Sequence, residues 1–488
     1  MKVNKFLLFF LFSGLLLTSC SQDEDDVIDD TVTTDPENLD IEQFVYRGMN
    51  NIYLYKNQIP ELADTYFSSE EDLNEFLSSF DGPEDLFYEG LVADEDRFSY
   101  ITPDYIALEN SFSGITKTTG VDYRLYRFSN SDELFGLVRY IIPNSNAVGM
   151  GIERGDLFTK INGQDLTIDN YTSLLNSDEI TFHLATINNN TISETSETVS
   201  ITSQTLTENP ILIKKSLDVD GMKVGYIMYN SFIADFDDEL NAAFAELKSE
   251  GISKLILDLR YNGGGRVSSA TRLASMITGQ FNGEVFSKEK WNDTYQAYFE
   301  SEEPESLYNR FTDEIDDNEN INSLNLNDLY IITSSSSASA SELVINGLKP
   351  YIDVIQVGDT TTGKSQASVT LYDSPNFGRA NANPDHTYAI QPLVLESVNA
   401  QDVSVPFNGI IPEVAIEEDI RNLGILGDPS EPLLSAALDA IRGARRFYPE
   451  TNYGYKEFSE SRVKEPTYKK MYIDGIPESA KKLLDTKD

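Results

Sequence analysis

KLILDLRYNGGGRVSSATRLASMI, residues 254–277, joins a short apolar strand to an amphipathic helix through a glycine-rich turn. Lys254 to Leu259 has the length and apolarity of a buried strand, Gly263, Gly264 and Gly265 let the chain turn sharply, and Ala270, Leu273, Ala274 and Ile277 fall on one helical face. The alternation continues on both sides. Upstream, Val224 to Phe232 reads as a strand, and Phe236, Leu240, Ala243, Phe244 and Leu247 form one face of a helix. Downstream come a strand at Leu329 to Thr333, a helix at Ala340 to Leu348 and a strand at Val354 to Val357. Strands that alternate with amphipathic helices predict an α/β core over residues 206–445, with a largely parallel or mixed sheet covered by helices. Residues 287–327 interrupt the pattern with an acidic, aromatic-bearing insertion that has no assignable period.

The 488 residues suffice for about three domains. Residues 41–104 read as a small helical domain: Ile41, Phe44, Val45, Gly48, Met49, Ile52 and Tyr55 keep helical spacing, and Leu73, Phe76, Leu77 and Phe80 repeat it after Ser69 as a cap. Residues 105–205 change to short apolar runs divided by Gly, Asn and Ser, with strands at Leu137 to Ile142 and Leu157 to Ile161, which predicts a mainly β domain. The tail, 446–488, either packs on the core or moves freely. There is no internal repeat.

With 81 Asp and Glu against 37 Lys and Arg, the formal charge of −44 makes nucleic acid or an anionic membrane face a poor general partner. The chain has one Cys, Cys20, and two His, His183 and His386. An intrachain disulfide, a Cys-rich zinc site and a metalloprotease helix with two spaced histidines are thereby excluded, and no metal or cofactor is expected. Lys2 and Lys5 precede an apolar stretch from Phe6 to Leu17, the form of an export signal and too short to span a bilayer. Its end, Leu17-Thr18-Ser19-Cys20, resembles the lipobox of bacterial lipoproteins. That resemblance implies removal of residues 1–19, lipidation of Cys20 and membrane attachment through it. Ser21 to Asp40 carry nine acids and no base, a composition that forms no core and makes 20–40 a disordered tether reaching about 70 Å when extended. Acids beside a lipidated Cys also resemble the surface-export signal of Bacteroidetes-type lipoproteins; a merely solvated spacer fits equally. The expected location is the envelope of a Gram-negative bacterium, on the outer membrane, facing the periplasm or the cell surface.

Three segments of the core lie where strands end, the position at which α/β sheets bind ligands. Asp258 to Gly265 exposes backbone amides suited to an anion or oxyanion, although glycine runs at such turns also serve as turns alone. Ser334-Ser335-Ser336-Ser337-Ala338-Ser339-Ala340-Ser341-Glu342 sits between a strand and a helix, where a hydroxyl projects from the sheet edge and the next amide opens a helix. Composition is equally that of a capping loop, and it does not say which serine would act. Thr360 to Gln366 carries Lys364. A free lysine, at about 10.4, is no base at neutral pH; burial has to lower it to about 7, a differential of about 4 kcal/mol.

Taken together the three segments resemble the carboxy-terminal processing (tail-specific) serine peptidases, which use a Ser–Lys pair on a sheet-and-helix core. The family's serine stands three residues before a Glu and twenty-five before the lysine of a Gly-Lys pair; here Ser339 precedes Glu342 by three and Lys364 by twenty-five. Its Asp-Leu-Arg-x-Asn-x-Gly-Gly stretch is present at Asp258 to Gly265, and a Gly-Ile-x-Pro-Asp/Glu-Val element at Gly409 to Val414. The resemblance implies Ser339 as nucleophile, Lys364 as base, and an oxyanion held by the Ala340 amide and one from Gly263 or Gly264. The family often places a Gln four residues after the lysine to orient it. Ser368 stands there and Gln366 two residues after, both on the lysine's own face of a strand, and Gln366 is the favoured substitute. Pro350 occupies the position, eleven after the serine, at which some members carry an acid. His386, in a polar turn, is read as structural.

Pro143 to Gly163 is similar to the central stretch of a PDZ domain, in which a helix leads into a Gly-Asp turn, a strand and an Asn-Gly hairpin. Such domains add a peptide's C-terminal end as an edge strand and hold its carboxylate with loop amides. The implied loop is Gly120-Val121-Asp122-Tyr123, with Gly120, Val121 and Tyr123 as the peptide-binding residues; Asp122, pointed inward, would repel a carboxylate. The whole implies a lipid-anchored serine endopeptidase with a protein or peptide substrate. An inactive peptide-binding lipoprotein that keeps the fold is the competing class, supported by the altered orienting residue. A surface glycan-binding lipoprotein rests only on the lipobox and tether.

Overall fold

Asp40–Ile52 forms α1 of a computed structural model that describes residues 38–188, 191–316, 319–444 and 454–484. Cys20, the expected export signal and nearly all of the expected tether lie outside them. Phe44, Val45, Met49 and Ile52 are buried at the spacing the sequence predicts. The face they make belongs to no separate bundle. Gly48 packs so tightly on the strand region near Ile390 that a Cβ there would lie 2.7 Å from Ile390 Cδ1, and the helical segment shares one core with the α/β part of the chain. Ser69 caps the helix Glu70–Leu77, its hydroxyl oxygen accepting the Asp72 N–H at 3.1 Å.

The β domain is an antiparallel sheet of β1 (Val121–Phe128), β2 (Leu134–Ile141), β3 (Leu157–Ile161), β4 (Glu179–Asn188) and β5 (Thr191–Thr202), in that spatial order. A short helix, α2 (Tyr171–Leu175), precedes β4, and Val138, Phe158, Ile161, Phe182 and Ile201 fill a core of the domain's own. Asn162 and Gly163, at φ 53° and 79°, turn the chain after β3 as a two-residue hairpin requires. The helix expected before the Gly155-Asp156 turn does not form. That stretch is a series of turns, because Asn144, Gly149 and Gly151 take φ of 64°, 76° and 87°, outside the helical region.

The core sheet follows: β6 (Ile211–Val219), β7 (Met222–Tyr229), α3 (Asp237–Ser249), β8 (Lys254–Asp258), α4 (Val267–Thr278), β9 (Asp328–Thr333), α5 (Ala340–Leu348), β10 (Asp353–Gly358) and β11 (Val414–Ala415). From β7 to β11 the strands are neighbours and parallel, and β6 closes one edge antiparallel. Period-two alternation splits their side chains: Leu257 and Ile331 face α3, α4 and α5, whereas Ile256 and Ile332 face α6 (Pro432–Ile441). Helices cover both faces, as the sequence predicts.

A second sheet runs Gly265–Arg266, Met471–Tyr472, Gln366–Ser368, Leu393–Asn399, Val285–Trp291, Tyr308–Arg310. Two of its strands come from the unassigned insertion, whose Trp291, Tyr295, Phe299 and Phe311 are buried. One comes from the tail, which therefore packs on the core. Earlier in the tail, β12 (Tyr455–Glu460) lies antiparallel along β1.

Arg260, fully buried just after β8, ties the glycine-rich turn to α6. Its guanidinium donates to Asp258 at 2.7 and 2.9 Å, to Glu431 at 2.8 and 3.0 Å and to Glu418 at 3.1 Å. Burial alone would raise the Glu418 carboxyl; Arg154 and Arg260 beside it hold it at about 2. Arg260→Met keeps the volume and strands the carboxylates of Asp258 and Glu431. It is expected to cost about 3–5 kcal/mol, read as a lower midpoint of chemical denaturation; an unchanged midpoint would show the cluster to be unimportant for stability.

Candidate active site

The end of β9 and the start of α5 bracket the serine string. Ser337 Oγ donates to Leu259 O at 2.8 Å, Ser341 Oγ to Asn262 O at 3.0 Å, and Ser334 Oγ to Arg260 O, so the string is stitched to the Asp258–Gly265 turn. Ser335 and Ser336 donate to Glu457 and Glu460 of β12 at 2.6 and 2.7 Å. The remaining hydroxyl, Ser339 Oγ, is buried and has no hydrogen-bond partner among the described residues. Its backbone stands at φ 66°, ψ −117°, a conformation that costs a non-glycine residue about 1–3 kcal/mol and persists only where the surroundings impose it. The sequence alone could not choose among the serines by chemistry; their hydrogen bonds single out Ser339.

Glu342 imposes that conformation. One carboxylate oxygen accepts the N–H of Ser339 at 2.8 Å and that of Lys364 at 2.9 Å, and the other accepts Gly363 N–H at 2.7 Å and the Thr361 hydroxyl at 2.5 Å. Burial pushes its carboxyl up and these bonds oppose the rise. A residue that the sequence used only as a spacing marker therefore pins the serine turn and the lysine loop to one point.

Lys364 is fully buried, and its Nζ has no hydrogen-bond partner among the described residues. It stands 4.8 Å from the centre of the Phe98 ring. Burial lowers its pKa well below the ordinary 10.5, and the nearby charge of Lys470 pushes the same way. Lys470, half-buried, is lowered to about 8 by desolvation. An amine without a partner in an apolar enclosure favours the neutral form, the form able to take a proton.

The Ala340 amide opens α5, where first-turn N–H groups have no acceptor within the helix. Of the two glycines, Gly264 donates its N–H to Asn262 Oδ1 at 2.9 Å, which leaves Gly263 as the free candidate donor. Gly264 is required sterically: at φ 112°, a Cβ would meet Ser339 Cβ at 2.6 Å and Lys470 O at 2.7 Å.

Three expectations need correction. Gln366 does not reach the amine, since Lys364 Nζ has no partner and the Gln366 side chain meets the Tyr55 hydroxyl instead. Ser368 is spent on Gln391 Oε1 and Met471 O, at 3.1 and 3.2 Å. The loop amides expected to grip a carboxylate are also engaged: Gly120 N–H by Thr118 Oγ1 at 3.1 Å, Val121 N–H by Thr119 Oγ1 and Tyr123 N–H by Ser461 Oγ, both at 3.3 Å. His386 is structural, as expected: Nδ1 accepts the Tyr388 N–H at 3.1 Å and Nε2 lies 3.2 Å from Asp373.

Sequence reasoning missed Phe98 and Lys470. Lys470 arrives from the tail, where Gly265 N–H donates to its carbonyl at 2.8 Å. No local pattern announces this; the ten bases to eight acids from Arg445 to the end, in so acidic a chain, are the one hint.

Among known proteins, residues 223–378 match the family model "Peptidase family S41" and residues 40–100 match "Peptidase S41 N-terminal domain". The carboxyl-terminal-processing protease of a Picosynechococcus species is 24% identical over 341 residues, 65% of this chain and 73% of that protein. A "Probable CtpA-like serine protease" of Staphylococcus aureus is 26% identical over 230 residues, and the match spans 47% of this chain but only 42% of that protein. The solved structure described as "Putative S41 protease from Bacteroides fragilis" shares the fold at a TM-score of 0.62 and 23% identity, over 82% of this chain and 97% of that one.

Proposed function

We propose that the chain, whose residues 223–378 and 40–100 match the peptidase and N-terminal domains of family S41, is a serine endopeptidase in which Ser339 is the nucleophile and Lys364 the general base. One observation carries this reading. Around the turn, the Ser339 hydroxyl and the Lys364 amine are both fully buried without partners, on two loops held by a single carboxylate.

Neutral Lys364 takes the Ser339 proton as Oγ bonds to the substrate's carbonyl carbon. The amide N–H groups of Ala340 and Gly263 stabilise the resulting oxyanion, a role in which one donor is worth about 3 kcal/mol. The carbon–nitrogen bond then breaks, the lysine ammonium protonates the departing amine, and an ester joins Ser339 to the acyl half. Water, losing its proton to the again neutral lysine, hydrolyses that ester. Export and lipid attachment through Cys20 belong to the same proposal, which puts the substrates outside the cytoplasm. The inactive-binder reading is not favoured, because an unpartnered buried lysine destabilises a fold that has no use for it.

A serine-directed phosphonate probe tests the assignment. Tandem mass spectrometry of the labelled chain is expected to find the adduct on Ser339, with labelling faster as pH rises. Cleavage of an unstructured protein with no adduct at Ser339, or with the adduct elsewhere, would overturn it.

A further inference from the structure

The edge of β1 that faces α2 is the groove in which a peptide would add to the β domain, and the chain's own β12 fills it. Tyr455 pairs with Phe128 and Glu460 with Arg124, antiparallel, so that the segment runs towards the Gly120–Tyr123 loop. Phe458 packs edge-on against Tyr171, the first residue of α2, at 5.3 Å. Glu460 is bound by Arg139, with Arg124 at 3.6 Å, and Glu457 pairs with Arg124. The segment does not end at the loop. It passes through, with Ser461 Oγ donating to Asp122 at 3.0 Å and Arg462 pairing with the same carboxylate at 3.2 Å.

We propose that this groove is a site for internal extended segments with an acid-aromatic-x-acid pattern, and that β12, with Glu457-Phe458-Ser459-Glu460, is its resident and displaceable occupant. Two features set it apart from a site for free C-terminal ends. The amides that would hold a terminal carboxylate are taken by Thr118, Thr119 and Ser461, and the buried Asp122 carboxylate beside them already occupies the Arg139 and Arg462 guanidiniums nearest the loop. The positive groups lie farther along the strand instead: Arg124 and Arg139 are both nearly inaccessible to solvent and answer acids three positions apart. Only β12 needs to leave, because Met471–Tyr472 is an interior strand of the second sheet and keeps the tail attached.

The occupant also touches the catalytic loop. Arg124 donates to Ser335 Oγ at 2.7 Å, Arg139 to Ser336 Oγ at 3.1 Å, and Ser335 and Ser336 donate to Glu457 and Glu460. A segment bearing the two acids preserves this link to the turn that carries Ser339, and one without them does not.

The test uses the full chain with Cys20→Ser and Ser339→Ala, and a fluorescent peptide Tyr-Lys-Glu-Phe-Ser-Glu-Ser capped at both ends. Lys456 and Arg127 face each other across β12 and β1, at a spacing that suits an engineered disulfide, so Lys456→Cys with Arg127→Cys locks the occupant in place. Fluorescence anisotropy is expected to show no binding to the oxidised lock and binding once reductant is added. Phe458→Ala, which loosens the occupant, should bind the peptide about tenfold more tightly than the background chain. Gln at the peptide position of Glu460 should weaken binding about tenfold, and a free C-terminal carboxylate should not strengthen it. Equal binding by the oxidised and reduced lock, no binding to the loosened chain, or a tenfold preference for the free carboxylate would each overturn the proposal. None of these readouts depends on cleavage, so they fail or succeed separately from the assignment of Ser339.

Discussion

Ser339→Ala is expected to lower kcat/KM for an unstructured protein by about 10⁴-fold or more while leaving the thermal midpoint at or slightly above that of the parent. Both halves follow from the same geometry. In the proposed reaction Oγ forms the acyl ester, and the neighbouring hydroxyls are tied to Leu259, Asn262, Arg260, Glu457 and Glu460 and do not replace it. Stability does not need Oγ, because it is buried without a hydrogen bond and its removal relieves a desolvation cost. The Ala340 amide and the Gly263 turn remain in place, so residual cleavage above the uncatalysed rate is expected. Parent-level cleavage by the variant, measured after removal of contaminating proteases, would exclude Ser339 as nucleophile.

Lys364→Met should abolish cleavage to a similar degree and make the fold more stable at neutral pH. Methionine fills the space beside Phe98 without an amine to desolvate. The pH dependence has a definite sign. Folding lowers the Lys364 pKa well below 10.5, so between the lowered value and 10.5 the unfolded chain binds a proton that the folded one does not. Parental stability contributed by this group therefore rises with pH across that window, and the advantage of the methionine variant is full below it and vanishes as pH approaches 10.5. Activity in the parent has the same direction: kcat/KM climbs with pH as Lys364 loses its proton. Loss of the Lys470 charge near pH 8 then removes one of the influences holding the Lys364 pKa down. Thermal scans of parent and variant over this range, with the pH profile of kcat/KM, check both. A variant less stable at every pH would mean that the amine has a buried partner.

The core elements were legible because their causes are local. A strand of five or six apolar residues and a helix with one apolar face are written within a dozen residues, and Leu157–Ile161 and Ala340–Leu348 fall where the sequence puts them. Val285–Trp291 was not, because three consecutive charged residues, Lys288, Glu289 and Lys290, interrupt its apolar pattern and its strand partner, Leu393–Asn399, lies a hundred residues away. The expected helix before Gly155 failed for another reason: Asn144, Gly149 and Gly151 take positive φ, a conformation that Asn and Gly adopt at little cost and that breaks a helix.

By itself the sequence determined the layered α/β core, the order and spacing of Ser339, Glu342 and Lys364, the Asn162-Gly163 hairpin, and the absence of thiol and disulfide chemistry within the body. Tertiary structure alone decided that Ser339 is the serine with an unspent hydroxyl, that Glu342 joins the two loops, that Lys364 is sealed beside Phe98 and Lys470, and that β12 lies along the edge of β1. Several of these rest on contacts between residues far apart in the chain, such as Tyr123 with Ser461 across 338 positions and Phe98 with Lys470 across 372. Periodicity reports which face of an element is buried, but the partner that buries it, and with it the pKa of a buried amine or the vacancy of a groove, exists only once the chain has closed on itself.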